Sequence, residues 1–152
     1  MLVAFDPMVP FIYLPMFQWG FFEQYMTGSF GDIISCDDFS GLCHFEAPCY
    51  NMSSNEVIGN FEITVQDIYN NQANITLSIF SLLTDGAQFG DPGNCYVPIL
   101  KATQGDQSVI TLGQTFFNQY YVVFDATPST ERNLFTNSVL FGLSNQMGLT
   151  PE

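Results

Sequence analysis

Residues 109–125 read VITLGQTFFNQYYVVFD, and the way this stretch divides decides what the rest of the chain can be. Val109, Ile110 and Leu112 make a short strand-forming run that ends at Gly113. QTFFNQ fits a short helix or turn, and YYVVFD follows as a strand rich in aromatic and β-branched side chains. Working upstream, CYVPIL (95–100) reads as a short strand and TDGAQFGDPGN (84–94) as loop. ITLSIFSLL (75–83) and NFEITVQDIY (60–69) alternate as half-buried strands about a turn at NNQAN, with Phe61, Ile63 and Val65 on one side. Residues 31–50 hold three cysteines among Asp, Ser, Gly and Pro, and read as a loop stapled locally by Cys36 and Cys43. MFQWGFFEQYM (16–26) suits a short helix weakened by Gly20 and stopped at Gly28, its apolar side chains packing into the core. Residues 1–15 form two apolar strands broken at DPMVP. Downstream, residues 126–138 form a long hairpin connection to a last strand, VLFGLS. The expected architecture is all-β, mainly antiparallel, with one or two short helices, in one domain spanning 1–152.

Composition agrees with one folded unit. The chain has 152 residues, 47% of them hydrophobic and 16% aromatic, enough for a single core and too apolar for disorder. Fifteen acidic residues face two basic ones, Lys101 and Arg132, for a formal charge of −13. A chain so poor in cations cannot build the positive surface that nucleic acid requires, and an anionic membrane surface would repel it. No apolar run approaches the length of a membrane-spanning helix, so membrane insertion is not expected.

Cys36, Cys43, Cys49 and Cys95 allow three pairings. No C-x-x-C occurs, and the only histidine, His44, adjoins Cys43, so disulfides are expected in place of zinc. Neighbouring residues point apart, which excludes Cys43 and His44 as a nucleophile and base. Asp32, Asp37, Asp38 and Glu46 match no calcium-loop spacing and read as a solvated acidic loop. No metal or cofactor is expected. Asn51-Met52-Ser53 and Asn74-Ile75-Thr76 are glycosylation sequons. With the cysteines they suggest a secreted or extracellular protein, or one from an acidic vacuolar or lysosomal compartment. The start MLVAFDP lacks the basic region of a signal peptide, so a longer precursor or a restarted numbering is expected.

The stretch quoted first resembles the C-terminal signature of the pepsin-like aspartic proteases. The matching residues are Leu112, Gly113, Phe116, Tyr120, Tyr121, Val123, Phe124 and Asp125, followed by Leu140-Phe141-Gly142-Leu143. The resemblance implies a single lobe, equivalent to the C-terminal half of a two-lobed enzyme. It also implies a bridge between Cys49 and Cys95, with Cys36–Cys43 an additional local one. VAFDPMVPFIYLP (3–15) then falls where the family carries its second catalytic motif, with Asp6 as the aspartate.

That chemistry needs two carboxylates sharing a proton about one water, each held by a small, hydroxyl-bearing turn. Here Pro7 takes the hydroxyl position and Met8 the glycine position, while Val9 and Pro10 replace small hydroxyl residues. Gln114 stands where the family often has Asp. The reading is a non-catalytic lobe of a secreted glycoprotein, acting as a binding or self-assembly module. Its inter-lobe or assembly face would comprise Phe5, Met8, Val9, Phe11, Leu112, Gly113 and Gln114. The expected partners are an N-terminal lobe, copies of the chain itself, or a peptide. The alternative is the C-terminal lobe of an active aspartic endopeptidase whose other lobe lies upstream or on another chain.

Overall fold

The two apolar runs that flank Asp6 do not pair with each other. β1 (Leu2–Phe5) and β2 (Ile12–Leu14) lie on either side of β10 (Val109–Leu112), β1 parallel to it and β2 antiparallel. A segment with prolines at positions 7 and 10 cannot make a tight hairpin ladder, and the distant strand fills the gap. β9 (Ile99–Lys101) completes this sheet, in the order β1-β10-β2-β9. The computed structural model describes residues 2–52, 59–66, 69–102, 107–125 and 138–143.

The first helix is longer than expected. α1 (Met16–Phe30) has 15 residues and runs through both Gly20 and Gly28. It ends at Gly31, where φ is 54° and the N–H bonds to the Thr27 carbonyl. Only this third glycine takes the left-handed backbone that stops a helix cheaply. Trp19, Phe22 and Met26 are buried, an i, i+3, i+7 stripe facing the sheets. Trp19 Nε1–H donates to the Gly41 carbonyl at 3.1 Å, and the Lys101 ammonium sits 4.9 Å from the Trp19 ring centroid. Gly41, at φ 73°, lies so close that a Cβ would meet the indole at 2.6 Å.

Residues 31–50, expected as loop, contain a small hairpin. β3 (Ile34–Cys36) pairs with β4 (Cys43–Phe45), and the disulfide joins the directly opposed Cys36 and Cys43. Three-residue strands leave too little alternation for sequence to reveal them. β7 (Thr84–Asp85) and β8 (Cys95–Val97) extend the sheet in the order β3-β4-β8-β7. CYVPIL is thus two strands in two sheets, β8 and β9, with Pro98 at the corner.

β5 (Asn60–Gln66) and β6 (Gln72–Ser78) form the expected antiparallel ribbon, with Phe61, Ile63 and Val65 on the less exposed side. The second strand stops earlier than expected. Ser78 accepts a hydrogen bond from the Ser81 N–H, and α2 (Ile79–Leu82) buries Ile79 and Leu82 at helical spacing. The closing segment follows the sequence reading: β10, Gly113, α3 (Gln114–Phe117), β11 (Tyr120–Asp125), then β12 (Ser138–Leu143) antiparallel to β11. The connection from 126 to 137 lies outside the described residues. Phe116, fully buried, stacks on Tyr120 at 4.8 Å, and the Tyr120 hydroxyl donates to the Thr76 carbonyl at 2.8 Å. Burying a phenylalanine of this kind stabilises the fold by about 2–3 kcal/mol.

Candidate functional site

Asp6 sits where β1 leaves the sheet, its N–H bonded to the Leu112 carbonyl at 3.0 Å. Its carboxylate turns back on its own loop: Oδ1 accepts the Met8 N–H at 2.9 Å, and the Asp6 carbonyl accepts the Val9 N–H at 3.4 Å. This is an Asx turn, a local arrangement that aspartate makes wherever a backbone amide two residues on is free. Asp6 is half-buried, whereas the Met8 side chain is 85% exposed.

Beyond the turn the loop is fastened to the start of α3. The Val9 carbonyl accepts the Gln114 N–H at 2.8 Å, and Pro10 accepts both the N–H and the Oγ1–H of Thr115, at 3.1 and 2.8 Å. Gln114 Nε2 donates to the Pro7 carbonyl at 3.0 Å. The first amides of α3, which Gly113 cannot cap with a side chain, are thereby satisfied by the loop. Gly113 permits the approach: a Cβ there would overlap the Phe11 carbonyl oxygen and stand 2.5 Å from that of Val9.

The apolar residues expected on one exposed face are distributed differently. Leu112 is fully buried, and Gly113 is covered by Val9. Phe5 is half-buried against Phe116 at 5.6 Å, and Phe11 lies between Tyr13 at 6.5 Å and Phe89 at 5.8 Å. Met8 and Gln114 alone of the seven are exposed. Only Leu112 and Gly113 are buried, and Phe5, Val9 and Phe11 keep part of their surface accessible.

α1 carries a run of exposed apolar side chains. Phe17 is 71% exposed, Phe21 60% and Tyr25 45%, although their apolar character suggests the core. The helical period is the available signal, since it sets these residues on the side opposite Trp19, Phe22 and Met26. Phe21 separates two concavities, one of about 650 Å³ lined by Met16, Phe17 and Gly20, the other of about 400 Å³ lying toward β5.

Both expected disulfides are present, Cys36–Cys43 and Cys49–Cys95, so Cys43 offers no thiol to His44. His44 faces the Tyr96 ring at 5.1 Å. Tyr96 Oη–H and Asn94 Nδ2–H both donate to Asp91 Oδ2 at 2.7 Å. These bonds, Tyr96 first, hold the Asp91 carboxyl below the ordinary range, while Asp91 raises the Tyr96 phenol. Asp37 is lowered by Ser40, whose N–H and Oγ–H reach it at 2.6 and 2.7 Å. Among the described residues no three His, Cys, Asp or Glu side chains group as metal ligands. Asn51 and Asn74 are exposed, and Asn74 Oδ1 lies 3.0 Å from Thr64 Oγ1. Ser53, which completes the first sequon, lies outside the described residues.

No helix of the described residues is long and apolar enough to cross a membrane, and the disulfides fit a secreted or vacuolar protein. No curated protein matches the chain. A family model, that of the eukaryotic aspartyl proteases, matches residues 31–132, more than half of the chain and beginning beyond the Asp6 loop. The mainly β architecture and the strand–glycine–helix–strand closing segment agree with it, and the chain belongs to the pepsin-like aspartic protease family.

Proposed function

We propose that this chain is a non-catalytic lobe, equivalent to the C-terminal lobe of the family, that serves a secreted glycoprotein as a binding or assembly module. The observation that carries the reading is the use of Asp6. Its carboxylate closes a turn on the Met8 amide, with proline and methionine where an activating hydroxyl and a bare glycine would stand. A catalytic carboxylate has to be placed to within about half an ångström by neighbours that orient it. Pro7 has neither the hydroxyl nor the N–H to do so. The test is peptide cleavage by the natural chain, with any partner lobe retained, at about pH 3–5. No turnover is expected. Pepstatin-sensitive cleavage that disappears in Asp6→Asn would overturn the reading.

One observation favours the alternative of an active C-terminal lobe. Gln114 and Thr115 bond the Pro7, Val9 and Pro10 carbonyls of the loop, and the Asp6 N–H bonds to the Leu112 carbonyl at the end of β10. An upstream reading frame encoding an intact Asp-Thr-Gly would supply the second carboxylate, and the same cleavage assay decides between the two. Native mass measurement at micromolar concentration tests self-assembly, and monomers alone would remove it.

A further inference from the structure

We infer that the free edge of β5, with the groove between it and α1, receives an extended peptide in which apolar and basic residues alternate. The inference rests on the binding-module reading and names the partner class. The groove of about 400 Å³ is lined by Phe21, Phe22 and Tyr25 of α1 and by five successive residues of β5, 60–64. Side chains of successive strand residues point to opposite faces, so a cavity touching all five runs along the edge of the strand. β6 occupies the other edge, and among the described residues no strand pairs with this one. A strand edge beside an apolar groove is the geometry of strand addition: main-chain hydrogen bonds supply affinity, and alternate side chains supply selectivity.

The two faces of β5 define the alternation. Phe61, Ile63 and Val65 lie on the sheltered side, and Phe22 packs edge-on against Phe61 at 6.2 Å. A peptide residue on that side enters the groove, where Phe21 and the buried Leu14, Ile79 and Ile110 meet it. On the solvent side stand Asn60, Glu62, Thr64 and Gln66, all exposed. A residue opposite Glu62 is favoured when it is cationic. The charge of the whole chain selects the same occupant. A second copy would bring −13 against −13 with only two basic residues, and one of these, Lys101, is engaged by the Asp38 carbonyl and the Trp19 ring. The cations must come from outside these 152 residues.

The test uses the full disulfide-bonded chain and a fluorescein-labelled Lys-Val-Lys-Val-Lys-Val peptide, read by anisotropy at about 0.15 M salt. Saturable binding is expected, weakened about tenfold or more by Glu62→Lys and by Phe21→Ser. Phe21 is 60% exposed, so thermal melts should show both variants folded. Amide hydrogen exchange should slow along β5 in the complex. Equal binding of oligolysine would reduce the effect to charge attraction and overturn the inference, as would protection elsewhere than β5. Dimers in native mass spectra that dissociate in Phe21→Ser would assign the surface to a second copy instead. No binding with no proteolysis removes the groove and leaves the non-catalytic reading standing, while proteolysis with binding removes the reading and leaves the groove.

Discussion

Gly113 shows how a single residue fixes the Asp6 loop. Its missing side chain lets the Val9 and Phe11 carbonyls close in to where a Cβ would lie, the Val9 oxygen within 2.5 Å and the Phe11 oxygen nearer still. Neither oxygen belongs to a flexible side chain, so Gly113→Ala is expected to destabilise the protein by about 3 kcal/mol, measured by urea denaturation. At the Asp91–Tyr96 pair the expected effect is on pH dependence. A carboxyl whose folded pKa is lowered contributes its full stability above the unfolded value, about 3.9, and loses it as pH falls through the folded one. Tyr96→Phe should therefore make Tm fall less steeply than in the parent below about pH 4. The raised Tyr96 phenol acts in the opposite sense: its contribution is complete below about pH 10 and is lost as pH rises through the folded value. Part of this is legible from sequence, since Pro7 and Met8 put neither a hydroxyl nor a bare glycine beside Asp6. The Asx turn is not, because which amide Asp6 captures depends on how β10 and α3 hold the loop.

Among the elements, α1 and the cysteine hairpin separate most clearly what pattern reveals from what it hides. β5 has seven alternating residues and is plain in the sequence, whereas β3 and β4 have three each and pass for loop. Gly28 looks like the stop of α1, yet both internal glycines keep negative φ and only Gly31 turns left-handed. Gly20 has no atom within 4 Å of where a Cβ would lie, so Gly20→Ala should stabilise the protein by about 0.5–1 kcal/mol, the reverse of the change at Gly113. The two disulfides differ in what they constrain. Cys49–Cys95 spans 46 residues and Cys36–Cys43 only 7. Chain-entropy arguments give about 4 kcal/mol for the longer loop and about 2.5 kcal/mol for the shorter. Paired Cys→Ala variants compared by chemical denaturation should keep that order.

For the molecule as a whole, charge is the dominant property. With −13 on 152 residues and little to offset it, the folded state carries repulsion that counterions relieve. Raising NaCl from about 0.01 to about 0.5 M at neutral pH should increase Tm by several degrees, and a flat response would show that the acidic residues are spaced widely enough not to interact. The family is legible because its closing segment is local, strand, glycine, short helix and strand within one window. The exposed side of α1 is half legible: the helical period separates Phe17, Phe21 and Tyr25 from Trp19, Phe22 and Met26, but which apolar face is covered depends on what surrounds the helix.

Trp19 is the only tryptophan in the chain, and its indole is held between α1, the Gly41 carbonyl and the Lys101 ammonium. Its fluorescence emission is therefore an internal gauge of one junction, the seating of the cysteine hairpin on the helix. Removing Cys36–Cys43 alone, in a Cys36→Ala, Cys43→Ala variant, should loosen that seating and shift the emission to the red while the far-ultraviolet dichroism is kept.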